Sequence, residues 1–173
     1  LVVDDDLMMR TLARKAMEEG GFQVMEAENG EEALDLFQQL QPSLVLLDVH
    51  ENDTYLLARH LEQRHPSLTV EIEIASVRDA DRLERLFQAQ RPAVVFHAAA
   101  HKHVPLMESN PGEAVRNITV ASRLLADLSV RHHAKSFVMI STDKAVRPTN
   151  VMGATKRVAE LLCHALATRS RTR

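Results

Sequence analysis

A short apolar run that ends in a carboxylate is the feature that most constrains how this chain can fold. The run spans residues 44–47, follows the turn signal Gln41-Pro42-Ser43, and ends at Asp48. Four apolar residues between a turn and an acid are typical of a strand buried on both faces of a parallel sheet. Open α/β sheets place their chemistry at the carboxyl ends of such strands, which is the position of Asp48.

Alternating strand and helix patterns extend this interpretation along the chain. Residues 1–49 read as βαβαβ, with one helix predicted at 7–20 and a second after residue 30. Gly20-Gly21 ends the first helix, Asn29-Gly30 precedes the second, and Pro42 closes it. Further helices are predicted at 53–64, 80–90, 111–132 and from residue 151, and further strands at 69–74, 93–96 and 137–140. We therefore predict an α/β three-layer sandwich, a doubly wound and mainly parallel sheet of about six strands with helices on both faces.

Composition excludes several classes of function. A formal net charge of -3 gives no electrostatic reason to expect nucleic acid as a partner. The single cysteine, Cys163, excludes an internal disulfide. No apolar run reaches the roughly 18–20 residues that a membrane span requires, so we expect no membrane span in this chain and a cytoplasmic location.

Acids follow two of the predicted strands in the first 49 residues. Asp4 and Asp5 follow the first strand, and Asp48 follows the third. If these two strands are neighbours, the carboxylates converge into the oxygen-rich environment that Mg²⁺ prefers. A metal there would neutralise phosphoryl oxygens while Asp48 attacks phosphorus.

Three motifs connect these acids to a known family. They are LVVDDD at residues 1–6, EAENGEEAL at 26–34 and PSLVLLDV at 42–49. Together they resemble the first half of a response-regulator receiver domain. The resemblance implies that Asp48 is the phosphoacceptor, that Asp4 and Asp5 bind Mg²⁺ with it, and that a histidine kinase is a partner in phosphorelay.

A second set of motifs occupies the rest of the chain. FHAAAHKHVPLME spans residues 96–108, Asn110-Pro111 comes after it, and ISTDKAVRPTNVMGATKR spans residues 140–157. From about residue 51 to 166 the chain resembles the nucleotide-sugar 4,6-dehydratases of polysaccharide biosynthesis. These are extended short-chain dehydrogenase/reductases with a Rossmann fold, NAD(P) as cofactor and UDP-N-acetylglucosamine-type substrates.

The dehydratase resemblance implies roles for five residues. Asp143 and Lys144 match the acid–base pair that eliminates water, and Thr142 matches the hydroxyl near sugar C4. Lys156 matches the lysine of the Tyr-x-x-x-Lys motif. Met152 occupies the tyrosine position, and a thioether cannot take a proton.

The same resemblance implies a cofactor site. Asp48 would hold a ribose, and Lys156 would also contact the cofactor. The small residues Ala98, Ala99 and Ala100 would let a flat ligand approach the backbone at the end of their strand.

Both families have an apolar strand ending in an acid, so the two resemblances meet at Asp48. We predict a receiver-like βαβαβ half at 1–49 and a Rossmann-type, dehydratase-like half at 50–173, merged into one Rossmann- or flavodoxin-like sheet. The five glycines form no GxxGxxG turn, and the sugar-binding portion is missing, so a weak or inactive dehydratase fragment is expected. The alternatives are a receiver phosphorylated at Asp48 and an inert recombined or designed chimera.

Overall fold

The computed structural model describes residues 2–3, 11, 26–27 and 43–168, and within them six strands. The strands are β1 (Val2–Val3), β2 (Glu26–Ala27), β3 (Ser43–Asp48), β4 (Thr69–Ile74), β5 (Val94–His97) and β6 (Ser136–Met139). They pair as β1 with β2, β3 with β4 and β5 with β6, and the first and last pairs are parallel. The fold is α/β with parallel strands, as the sequence predicts.

From β3 onward, helices lie between successive strands and after the last one. They are α1 (Glu51–Arg64), α2 (Ala80–Gln90), α3 (Val104–Ser109), α4 (Pro111–Ala114), α5 (Ala121–Arg131) and α6 (Val151–Ala167). A π-helical segment, Val115–Val120, joins α4 to α5, and a 3₁₀ turn, Asp143–Ala145, lies after β6. The long helix predicted at 111–132 is therefore present but contains an internal change of helical geometry. The short helix α3 was not predicted.

The chain divides into two compact units. One comprises Leu1–Leu46 with His50–Glu73, and the other Leu47–Val49 with Ile74–Arg173. The division of the chain at residue 49 and the merging of both halves into one sheet stay predictions. Apart from Thr11, which is helical, the helix predicted at 7–20 lies outside the described residues, and so does the helix predicted after residue 30. No helix in the described part of the chain is long and apolar enough to cross a membrane.

The core of the second unit lies between α2, α5 and the β5–β6 pair. Leu83 and Phe87 are one helical turn apart on α2 and both are buried, against Leu125 and Leu128 of α5. The Asp79 carboxylate accepts a hydrogen bond from the Arg82 backbone N–H (3.0 Å) and fixes the start of α2. A buried stripe at i and i+4 behind a capping acid explains why α2 matches its predicted bounds.

The register of β5 and β6 places two loops side by side. His97 is paired with Met139, and the Ile140 N–H donates to the His97 carbonyl at 3.0 Å. Because the strands are parallel, residues 98–103 and 140–144 leave the sheet at the same edge. The two dehydratase-like motifs are therefore neighbours, although about 40 residues separate them in the chain.

Candidate functional site

Thr142, Asp143 and Lys144 form one hydrogen-bonded group directly after β6. The Thr142 hydroxyl donates to Asp143 Oδ1 at 2.9 Å, and Lys144 Nζ donates to the same oxygen at 3.2 Å. These hydrogen bonds, first that from Thr142 and then that from Lys144, hold the pKa of Asp143 below its ordinary value. The Asp143 side chain is 86% exposed. An ionised carboxylate and an ammonium group thus stand together at an accessible strand end.

Lys156 reaches the same strand end from α6. Only 6% of this residue is exposed, and its Nζ donates to the Ile140 carbonyl at 2.8 Å. Burial lowers the pKa of its ammonium group. The ammonium group is thus a desolvated cation held by the Ile140 carbonyl. Ile140 comes one residue before Ser141 and two before Thr142.

Gly153 allows α6 to approach the 3₁₀ turn closely. An added Cβ at this position would collide with the Lys144 carbonyl oxygen and also touch Asn150 Oδ1. Asn150 caps the helix, because its Oδ1 accepts from the Gly153 N–H at 2.8 Å. The helix that carries Lys156 is therefore in direct backbone contact with the turn that carries Asp143 and Lys144.

Met152 is buried, with 4% exposure, in an apolar cluster. Its buried partners are Met107, Ala114 and Ile118. Met152 and Lys156 lie one turn apart on the same face of α6, and both are buried. The cluster surrounds the thioether with side chains that exchange no protons, so the structure gives Met152 a packing role, and its catalytic role stays a prediction.

The small residues after β5 are held differently from one another. Ala98 is exposed, Ala99 packs on the cluster around Leu125, and Ala100 packs on the cluster around Met152. Beyond them, the His101 N–H donates to Asn117 Oδ1 in the π-helical segment at 2.9 Å. The loop is held at residues 99–101, and Ala98 before them is exposed.

The acids of the receiver interpretation are only partly described. Asp48 ends β3, is half-buried, and its carbonyl accepts from the Ala75 N–H at 3.1 Å. Asp4 and Asp5 lie outside the described residues. Within the described ranges, no group of His, Cys, Asp and Glu side chains could hold a metal ion.

His97 lies beside the site, although no sequence pattern assigns it a role there. It is 2% exposed, and its Nε2 lies 2.9 Å from the Ser122 hydroxyl oxygen. Because the Ser122 hydroxyl donates to the Ile118 carbonyl at 2.5 Å, it accepts from His97 Nε2–H. Burial, and then the nearby Lys156 cation, lower the pKa of His97 to about 4. His97 is therefore neutral at pH 7, which avoids a second cation beside Lys156.

The neutral state of His97 predicts a pH dependence of stability. Its folded pKa of about 4 lies below the ordinary 6.5, so the unfolded chain binds the extra proton between these values. Stability is therefore complete above pH 6.5 and is lost as the pH falls towards 4, by about 2 kcal/mol between about pH 7 and about pH 5. Urea unfolding at both values measures it, and His97→Gln, which keeps an N–H donor, should abolish this contribution. An equal loss in both proteins would contradict the assignment.

Comparisons with known proteins agree on one family. The family described as "Polysaccharide biosynthesis protein" matches residues 29–173. The probable polysaccharide biosynthesis protein EpsC of Bacillus subtilis is 42% identical over 146 residues, 83% of this chain and 24% of the relative. A UDP-N-acetylglucosamine 4,6-dehydratase (inverting) of Campylobacter jejuni is 40% identical over 90 residues, 51% of this chain and 26% of the relative. This chain thus spans about a quarter of the length of these curated relatives.

A solved structure shares the fold. UDP-glucose 4-epimerase from Bifidobacterium longum, in complex with NAD⁺ and UDP, superposes with a TM-score of 0.68. It is 19% identical, and the match covers 79% of this chain and 44% of the epimerase chain. At this identity the likeness shows the Rossmann fold alone.

The comparisons give no support to the receiver interpretation, and so none to phosphorelay, to a histidine kinase partner or to Mg²⁺. The family match begins at residue 29 and includes Asp48. The reason for the ambiguity is physical. A buried strand of a few apolar residues ending in an acid satisfies the packing of both kinds of sheet, so this segment alone does not distinguish them.

Proposed function

The chain belongs to the polysaccharide biosynthesis protein family, and from this we propose that it carries the NAD(P)-binding and elimination residues of a UDP-N-acetylglucosamine-type 4,6-dehydratase. The observation that carries the proposal is the group Thr142, Asp143 and Lys144, held on one turn beside the buried Lys156 ammonium. The dehydratase from Campylobacter jejuni, 40% identical over 90 residues, supports the substrate class.

The carboxyl ends of β5 and β6 fit the nicotinamide half of a dinucleotide. Ala98 is exposed and carries only a methyl group, so a flat ring can approach the backbone there. Lys156 offers a fixed cation for ribose hydroxyls. The sequence provides no Gly-rich turn for the pyrophosphate, so weak binding is expected. When bound, NAD(P)⁺ supplies the hydride acceptor and donor at sugar C4.

The elimination step needs one proton acceptor and one proton donor. One group must take the proton from sugar C5 while another protonates the hydroxyl that leaves C6 as water. The ionised Asp143 carboxylate can accept a proton, and the Lys144 ammonium can donate one. Thr142 holds Asp143 in place through its hydroxyl, and its oxygen would lie near C4.

Calorimetric titration of the chain with NAD⁺ and NADP⁺ tests the cofactor site. We expect a dissociation constant on the order of 0.1–1 mM, because the pyrophosphate lacks its usual N–H donors. Lys156→Met keeps the length of the side chain and should weaken binding by about tenfold or more, as expected for a charge-assisted hydrogen bond. Lys135→Met, in the exposed turn before β6, is the matched control and should bind as the unchanged chain does.

Saturable binding that Lys156→Met leaves unaltered would remove Lys156 from the site. A complete absence of heat at concentrations several times the expected dissociation constant would contradict the proposed function as a whole. Without bound NAD(P)⁺, no hydride acceptor would lie beside the Asp143–Lys144 pair.

A further inference from the structure

Glu108 joins two parts of the chain that lie 43 residues apart. It belongs to the short helix α3, and its Oε1 accepts from the Val151 N–H at 2.6 Å. Val151 is the first residue of α6. The first N–H groups of a helix have no carbonyl partner within the helix. Glu108 satisfies one of them, while Asn150 satisfies that of Gly153.

The contact is favourable in charge as well as in geometry. The amino-terminal end of a helix carries a partial positive charge, which an ionised carboxylate stabilises. An apolar contact lies next to it, since Met107, the neighbour of Glu108, packs in the same buried cluster as Met152. Helix α3 thus fixes the start of α6 by one hydrogen bond and one packing contact.

The next residues of α6 belong to the candidate site. Gly153 lies two residues after Val151 and abuts the Lys144 carbonyl, and Lys156 lies three residues further. Its Nζ meets the Ile140 carbonyl at 2.8 Å while the side chain stays buried. A shift of the first turn of α6 would move Gly153 and Lys156 together, because they share one rigid helix.

We propose that Glu108 is a positioning residue, whose carboxylate fixes the first turn of α6 so that the Lys156 ammonium lies on the Ile140 carbonyl. The role of Lys156 towards a cofactor rests on the proposed function. The placement of the ammonium does not, since it is a property of the chain alone. Glu108 itself touches none of the reacting groups.

The position of the Lys156 ammonium can be followed by NMR in protein whose lysines carry ¹³C at Cε. The signal that disappears in Lys156→Met belongs to Lys156, and its pH titration gives the pKa of that group. In Glu108→Ala the pKa of Lys156 should rise towards its ordinary value, because the ammonium leaves its buried position. Glu108→Gln keeps an oxygen acceptor, so Lys156 should titrate in this variant as it does in the protein with Glu108. The affinity for NAD(P)⁺ should fall about fivefold in Glu108→Ala, which corresponds to the loss of one helix cap.

Glu84→Ala is the matched control. Glu84 also joins two helices, since its carboxylate contacts His132 at 2.8 Å and Arg131 at 2.7 Å, far along the chain from α6. Its replacement should lower stability without moving the Lys156 titration. Should Glu108→Ala not fold, Glu108→Asp serves in its place, because it keeps the charge but shortens the reach by one methylene group, and it should raise the Lys156 pKa.

Three results would overturn the proposal. They are an unchanged Lys156 titration in Glu108→Ala or Glu108→Asp, a Glu108→Gln protein that titrates as Glu108→Ala does, and an equal change in Glu84→Ala. A chain that binds no NAD(P)⁺ would contradict the proposed function only, since the Lys156 titration needs no cofactor.

Discussion

Replacing Gly153 by Ala is expected to lower the free energy of unfolding by about 2 kcal/mol or more, a cost typical of overpacking. The new methyl group would collide with the Lys144 carbonyl oxygen, which is backbone and cannot rotate away as a side chain can. Helix propensity alone predicts the opposite sign, since Ala favours a helix by about 1 kcal/mol over Gly. Urea unfolding followed by circular dichroism measures the change.

Gly112→Ala provides the control within the same chain. At that position in α4 an added Cβ would meet only the terminal nitrogen of Arg116, at 3.4 Å, and this side chain is free to move aside. We expect unchanged or slightly raised stability. Equal destabilisation by both substitutions would show that Gly153 has no special contact with the turn.

The Gly153 substitution should also affect the candidate site. If α6 is pushed away from the Asp143–Ala145 turn, Lys156 can no longer keep its 2.8 Å contact with the Ile140 carbonyl. NAD(P)⁺ affinity should then fall in Gly153→Ala and remain unchanged in Gly112→Ala. A folded Gly153→Ala protein with full NAD(P)⁺ affinity would show that cofactor binding does not depend on the placement of α6.

On the proposed function, replacing Asp143 by Asn is expected to slow dehydration of UDP-N-acetylglucosamine by about 10²–10⁴-fold, the usual contribution of a positioned acid or base. The amide can still accept a hydrogen bond from Thr142, so the turn is retained, but it cannot take a proton. Mass spectrometry detects the loss of water from the sugar nucleotide. An excess of the chain over the sugar makes even one slow turnover visible.

The cofactor affinity provides the internal control for this substitution. Asp143 is exposed, and its hydrogen bonds are to Thr142 and Lys144. Because none of these groups is assigned to the cofactor, Asp143→Asn should leave NAD(P)⁺ binding unchanged. A loss of binding equal to the loss of rate would show that Asp143 supports the site and does not act in it. A rate equal to that of the unchanged chain would contradict the assignment of the elimination pair.

Within residues 43–168 the sequence predicts the helices and strands closely. β4 and α2 have the predicted bounds, and the other predicted elements agree to within two residues. The reason is local. Leu83 and Phe87 lie one turn apart behind the capping Asp79, so the signals that define α2 all fall within a dozen residues.

The elements that were not predicted have weaker local signals. Helix α3 is six residues long and begins with Val104-Pro105, after the loop residues His101, Lys102 and His103. The π-helical segment alternates between apolar and polar residues and is continuous in sequence with α5, and nothing in its periodicity marks the change of geometry. Its Asn117 is identified only by its hydrogen bond to the loop after β5.

The candidate site divides in the same way. Motifs point to Thr142, Asp143, Lys144 and Lys156, and the structure joins the first three by hydrogen bonds. His97 and Glu108 lie inside the quoted motifs, yet their contacts with Ser122 and Val151 span 25 and 43 residues. The role of Asn150 can be found from the sequence, since an Asn directly before an apolar helical pattern predicts an N-cap.

The sequence by itself determined the α/β alternation, the strand ends that bear acids and hydroxyls, and the family of the stretch from about residue 51, because these depend on spacings of a few residues and on long motifs. The first 49 residues resemble a different family, and the comparisons do not support that resemblance. Tertiary structure alone decided that Met152 is buried in an apolar cluster, that the Lys156 ammonium lies buried on the Ile140 carbonyl, and that Gly153 abuts Lys144. These facts depend on how α6 sits against β6 and α3. That placement results from the packing of the whole second unit, which no local pattern specifies.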